Sequence, residues 1–189
     1  ADGANIELHD TVEVSVETLT RSLAELELHS GRLRADLGNA EGFALKVRSS
    51  GATAEARNGS FVVFADGRGM MAVASETAEV RLTARDRTVT VASGEQSVVQ
   101  PNAQPSDPTS IPEEVFLNVD WPRQRFQRKR RLVVRGQVQP GSVVTIDGET
   151  TPVSSDGSFR SDVALDAGPN NVVVEAQDPL GRIRNEQSP

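Results

Sequence analysis

Two histidines, a dense run of arginines and a handful of Asp-Gly pairs are the residues of this 189-residue chain that could do chemistry. His9 and His29 each alternate with apolar neighbours on segments that read as strands. A metal site or a general base would need a third partner, and no ligand spacing supplies one. Both therefore read as solvated strand-face side chains. A Ser/His/Asp mechanism has no nucleophile elbow to stand on. The Asp-Gly pairs at Asp66, Asp147 and Asp156 lack the spaced Asp/Asn ligands of a calcium loop and read as turns. Gly67-Arg68-Gly69 is too short for a phosphate cradle and has no helix after it. With no cysteine in the chain, disulfides and thiolate chemistry are excluded. The expectation is a protein with no catalytic residues, no metal and no cofactor.

The sharpest local anomaly is basic. Arg123, Arg125, Arg128, Lys129, Arg130 and Arg131 place six of the chain's twenty Lys and Arg residues within one short window of a protein of net charge −7. Such a cluster could grip an acidic partner protein, a phosphate-bearing polymer or the charged face of a second copy. The competing reading is a solvated loop and edge strand, where dense charge prevents edge-to-edge aggregation. Nucleic acid is disfavoured: only Phe126 could stack, no recognition helix carries the run, and the overall charge is acidic. Trp121 and Phe116 could form a sugar platform, but one tryptophan at the start of a sandwich more often packs into a core.

These residues must be positioned by strands. The apolar content is Val, Ala and Leu, with one Trp, six Phe and no Tyr, and turn residues punctuate it throughout; this is all-β composition. No run approaches the ~20 apolar residues of a membrane span. The opening Ala1-Asp2-Gly3 reads as a domain boundary rather than a cleavage motif.

In the first hundred residues the hydrophobic period is close to two. Ile6, Leu8, Val12, Val14 and Val16 alternate with polar residues, and a turn or bulge falls near Thr20-Arg21-Ser22. Leu26 and Leu28 then face Leu33, Ala35 and Leu37 across His29-Ser30-Gly31-Arg32, which predicts a hairpin. Between Thr18 and Leu28 strand phase outweighs helix propensity, because no capping box precedes a helical stripe. Ala52, Ala54 and Ala56 form a small-residue strand, Asn58-Gly59 a tight turn, and Phe61-Val62-Val63-Phe64 a central strand apolar on both faces. Leu26–Leu33 and Val89–Gln96 share an apolar-polar-apolar-x-Ser-Gly pattern, as a rolled sheet or β-solenoid would repeat.

Four prolines between Gln100 and Pro112 predict a semi-rigid spacer. The expected organisation is an all-β domain over 1–100, a Pro-rich linker over 101–112 and a second all-β domain over 113–189. The second has seven short strands with turns at Pro140-Gly141, Asp147-Gly148, Asp156-Gly157 and Gly168-Pro169, the pattern of an immunoglobulin-like β-sandwich. Pro152 points its strand to a sheet edge.

Pro140-Gly141-x-Val143-Val144-x-Ile146-Asp147-Gly148, Asp156-Gly157-x-Phe159 and Gly168-x-Asn170-x-Val172-x-Val174-x-Ala176-x-Asp178-x-x-Gly181 make residues 113–186 resemble bacterial immunoglobulin-like modules of the glucodextranase-B type. The first half resembles a FecR-like domain. Gly31, Arg57-Asn58-Gly59-Ser60-Phe61-Val62-Val63 and Val91-x-x-Gly94-Glu95 carry that likeness, with Ser60 in place of the usual threonine and Asn58 departing from the commonest spacing. The resemblance implies a FecR-like rolled sheet or short β-solenoid followed by a sandwich. It also implies a non-enzymatic scaffold or adaptor in the periplasm or cell envelope of a Gram-negative bacterium. Its partners would be other envelope proteins or copies of itself, with a cell-wall glycan as a further possibility. Any membrane anchor would lie outside this chain. The alternatives are a polysaccharide- or peptidoglycan-binding module and a fragment of a FecR-type regulator, a family that relays a signal from an outer-membrane transporter to a sigma factor.

Overall fold

Alternating Val, Leu and Ala positions bury one face of almost every strand, and they do so around two separate cores. A computed structural model describes residues 4–38, 42–121 and 130–188. The chain divides into two units, 1–111 and 112–189. Among the described residues there is no helix; the protein is all-β.

The first unit contains β1 (Asn5–Leu19), β2 (Leu23–Asp36), β3 (Ala44–Ser49), β4 (Ala52–Ala56), β5 (Ser60–Ala65), β6 (Met71–Ser75), β7 (Val80–Ala84), β8 (Arg87–Val91), β9 (Glu95–Val99) and β10 (Thr109–Ser110). They form one curled sheet in the order β10-β9-β6-β5-β2-β3-β4-β7-β8, with β1 paired to β2 outside that path. Strand β2 organises it. Ala24 is paired with both Leu19 of β1 and Leu45 of β3, and Leu33 with both Leu8 of β1 and Val63 of β5. A strand has only two hydrogen-bonding edges. One edge of β2 is therefore given to β1, while the other carries β3 along its first half and β5 along its second. Two arms, β3-β4-β7-β8 and β5-β6-β9-β10, leave the same strand. Their inward residues, among them Leu45, Leu82 and Val91 from one and Phe61, Val63 and Met71 from the other, share one core.

The hairpin expected at His29-Ser30-Gly31-Arg32 is instead the middle of β2. Gly31 has φ 95°, the signature that reads as a turn in sequence, but it serves a strand irregularity. The β1–β2 register shifts between His9 and Glu13 and again between Glu13 and Val14. A Cβ on Gly31 would lie 2.8 Å from Val12 Cγ2 and 2.9 Å from the Thr11 carbonyl oxygen, so only glycine admits β1 there. The turn expected near Thr20-Arg21-Ser22 is present: Thr20 Oγ1 accepts from the backbone N–H groups of Ser22 and Leu23. The Ser-Gly pattern at 30–31 and 93–94 marks two different structures, since Gly94 sits in the β8–β9 turn, so the pattern is not a repeated unit.

Residues 101–111 of the expected spacer belong to the first unit. Pro105 is buried and bridges Val99. Ser106 Oγ accepts from the Val98 N–H, and the Ser106 N–H donates to the Val98 carbonyl. Arg87 holds Asp107 and donates to the Pro105 carbonyl. Proline lacks an N–H, but serine and carbonyl groups on either side satisfy the β9 edge.

The second unit contains β11 (Leu117–Val119), β12 (Arg131–Val138), β13 (Val143–Ile146), β14 (Glu149–Thr151), β15 (Ser158–Ala164), β16 (Val173–Gln177) and β17 (Ile183–Gln187). They form two antiparallel sheets, β11-β12-β15 and β14-β13-β16-β17, the immunoglobulin-like sandwich expected. Val134, Val138 and Phe159 from one sheet share a core with Val144, Ile146 and Val174 from the other. Asp147 and Gly148, at φ 50° and 84°, make the predicted two-residue hairpin, and Pro152 follows edge strand β14. At the β16–β17 turn the buried Asp178 carboxylate accepts from the Arg182 Nε at 2.7 Å and from its backbone N–H at 2.9 Å. The Arg182 fork also donates to the Glu113 and Pro112 carbonyls, tying the start of this unit to its last hairpin.

Candidate functional site

Two surfaces have the geometry of binding sites, one on each unit. The first is the outer edge of β1. Its fifteen residues pair with β2 alone, so among the described residues the other edge has no strand partner. Ile6, Val12 and Val14 are half-buried against the core, whereas Leu8, Val16 and Leu19 are 49, 64 and 74 % exposed. Leu8 and Val16 stand opposite Leu33 and Leu26, which are buried. The apolar stripe of the core thus runs out past the last strand, as it would if one more strand were to cover it. The polar residues of β1 are mainly acidic: Glu7, Glu13 and Glu17.

Both histidines belong to this hairpin. His9 Nε2 lies 3.4 Å from Glu7, and His29 Nε2 is 2.8 Å from Ser15 Oγ. Both are exposed. Among the described residues no three His, Asp or Glu side chains gather where they could hold a metal ion.

The second surface is the outer face of the β11-β12-β15 sheet, an open polar groove of about 750 Å³. Asn118, Asp120, Arg135, Gln137, Ser158 and Arg160 line it. The pairing of β12 with β15 sets Arg135 directly opposite Arg160 and Gln137 opposite Ser158. Both arginines are exposed. Among the described residues neither guanidinium has a hydrogen bond or an ion pair. One rim of the groove is fixed by a tight turn. The Asp156 carboxylate accepts from the Ser158 N–H at 3.0 Å and from the Ser158 hydroxyl at 2.7 Å. These bonds, the backbone one foremost, lower the Asp156 pKa below the ordinary carboxylate value. Gly157 closes the turn where a Cβ would lie 2.0 Å from the Val138 carbonyl oxygen.

Of the basic run expected as a partner site, Arg123, Arg125, Arg128 and Lys129 lie outside the described residues. Arg130 and Arg131 are exposed. Arg131 opens β12, where it pairs with Ala164 of β15. It therefore begins the middle strand of its sheet and not an edge strand. Trp121 is half-buried and packs against the second core, while Phe116 is exposed. Sequence alone does not single out Arg135 and Arg160, whose opposition depends on pairing two strands 25 positions apart; the available signal was an arginine at an outward position on each.

The family described as glucodextranase, domain B, matches residues 117–188, nearly the whole of the sandwich unit. The chain is also similar in fold to a candidate anti-sigma factor from Parabacteroides distasonis, solved at 1.65 Å. The sequences are 21 % identical, the TM-score is 0.50, and the match covers 58 % of this chain and 52 % of that one. A second crystal structure carrying that description, at 2.50 Å, gives 22 % identity over the same shares and a TM-score of 0.48. This chain therefore corresponds to about half the length of those structures. No curated protein matches it.

Proposed function

We propose that the protein is a non-enzymatic adaptor of the bacterial cell envelope, in the periplasmic space of a Gram-negative cell, that captures other proteins by adding a strand to the outer edge of β1. The observation that carries this reading is the one-sided β1, with Leu8 and Val16 exposed beside buried core residues. Strand addition supplies main-chain hydrogen bonds for affinity, and alternate side chains set specificity. The partner segment would alternate apolar residues, which cover Leu8 and Val16, with basic residues facing Glu7, Glu13 and Glu17. A second copy of β1 fits poorly, because self-pairing brings these carboxylates together.

The test is site-specific photo-crosslinking in native envelope. Crosslinkers at Leu8 and Val16 should yield one defined protein adduct, and crosslinkers at Arg81 and Thr90 of the β7–β8 hairpin should not. Val16→Asp should abolish the adduct formed from position 8. Adducts of equal yield from β1 and the β7–β8 hairpin, or none from β1, would overturn the edge-binding reading.

A fragment of a signal-transducing regulator of the FecR kind is the second reading. The fold likeness to the candidate anti-sigma factor supports it. It requires that the full-length gene encode a membrane segment and a sigma-factor-binding region, so finding neither would remove it.

A further inference from the structure

Like charges directly opposed on a strand pair destabilise a sheet, yet Arg135 and Arg160 face each other across β12 and β15 with no partner among the described residues. Direct cross-strand pairs hold their Cβ atoms only about 4.5–5.5 Å apart. Two long side chains rooted that closely can converge on one anionic group. The fork of a guanidinium matches a carboxylate or a phosphate in two parallel hydrogen bonds.

The rest of the groove narrows the choice. Asp120 presents a carboxylate with no hydrogen-bond donor among the described residues, Asp156 keeps lone pairs beyond the two bonds it accepts from Ser158, and Asn118 and Gln137 both donate and accept. A polyphosphate offers no donors to the aspartates. An acidic peptide is the competing occupant, but it would gain no apolar anchor here, because the aromatic ring of the groove, Phe159, is buried in the core. A chain of hydroxyl groups bearing regularly spaced carboxylates offers an anion to the arginines and donors to the aspartates. We infer that the outer face of the β11-β12-β15 sheet binds an acidic polysaccharide of the uronate type, with Arg135 and Arg160 clamping one carboxylate and the aspartates accepting from sugar hydroxyls. The site is separate from the β1 edge and stands or falls without it.

The experiment titrates the whole chain with polygalacturonate at physiological salt, with dextran, polyglutamate and polyphosphate as the other arms. Polygalacturonate should bind saturably and dextran should not. Arg135→Gln and Arg160→Gln should each weaken binding about tenfold or more, and Arg160→Lys, which keeps the charge but loses the fork, by several-fold. Arg21→Gln, an equal change of charge in a turn of the first unit, should have no effect. Each variant removes one of two opposed like charges and should stay folded, which a thermal melt verifies. Polyglutamate or polyphosphate binding as tightly as polygalacturonate would overturn the assignment, as would failure to bind polygalacturonate or full affinity in the arginine variants.

Discussion

Gly59 lies with its Cα against the backbone of Ala78: a Cβ built on it would come within 2.7 Å of both the nitrogen and the Cα of that residue. The neighbouring Ser60 ties the same two segments. Its N–H donates to Thr77 Oγ1 at 2.8 Å, and its carbonyl accepts from the N–H groups of Glu76, Thr77 and Ala78. The Asn58-Gly59-Ser60-Phe61 motif is thus the point where the chain after β6 is pinned to the start of β5.

Gly59→Ala should cost more than a change of conformation alone. Its φ of 72° makes any L-residue strained by about 1–2 kcal/mol. The backbone clash adds to that. Gly51→Ala is the control, because Gly51 has φ 82° and a methyl group added there would meet nothing within 4 Å. Denaturant titration should show Gly59→Ala losing roughly 3 kcal/mol or more and Gly51→Ala about 1–2. Equal losses would mean that Ala78 moves aside freely.

Arg160→Glu converts the opposed arginines into a cross-strand pair of opposite charge. Such pairs contribute about 0.2–1 kcal/mol, so the midpoint of thermal unfolding should rise, by a few degrees at most, while polygalacturonate binding disappears. A gain in stability coupled to a loss of binding is the pattern of a residue retained for function. A fall in stability would show that Arg160 has a structural role on this face.

Asp156 should stay ionised to lower pH than an ordinary carboxylate, because two hydrogen bonds from Ser158 favour its charged form. A depressed folded-state pKa contributes stability that is complete above the unfolded-state value and is lost as pH falls through the folded one. The effect therefore lies entirely in the acid range, below the usual aspartate titration, and neutral pH leaves it intact. Ser158→Ala removes the hydroxyl bond but keeps the backbone one, so the Asp156 carboxylate followed by NMR should titrate part of the way back toward the ordinary value. No movement would assign the whole shift to the backbone.

Arg182→Met should destabilise the second unit, since it leaves the Asp178 carboxylate, 1 % exposed, without its guanidinium. Breaking a fully buried pair costs roughly 3–5 kcal/mol. The Arg182 side chain is 36 % exposed, which places the expected loss nearer about 2 kcal/mol by the screening of partly exposed pairs. Arg182→Lys should recover only part of it, because one ammonium cannot reach Asp178, Pro112 and Glu113 together. Unfolding followed by Trp121 fluorescence, a probe confined to this unit, would read both variants; unchanged midpoints would make the clamp dispensable.

Local chemistry was legible in the sequence wherever one residue decides the geometry. Asp147-Gly148 marked its hairpin, Pro152 its edge, and Thr20-Arg21-Ser22 its turn. Gly31 misled for a physical reason: positive φ is needed both by a turn and by a strand that must let another strand approach, and only the position of β1 separates the two. The prolines after Gln100 read as a spacer because proline lacks a donor, but Ser106 and Arg87 bring the missing hydrogen bonds from elsewhere. The two candidate surfaces were the least legible. Arginines that crowd in sequence stand out to the eye, whereas Arg135 and Arg160 meet only through strand pairing, and the exposure of Leu8 and Val16 depends on β1 having no outer neighbour among the described residues.

The sharing of β2 by three strands bears on how the first unit assembles. The two arms join one sheet only through β2, and the parallel pairing with β3 cannot form as a local hairpin. Long-range pairing of this kind slows folding. Since β1 and β2 leave the ribosome ahead of the other strands of this unit, the template that both arms require is also the earliest part of the unit available. The amides of β2, central to both arms, should exchange with solvent only when the whole unit opens.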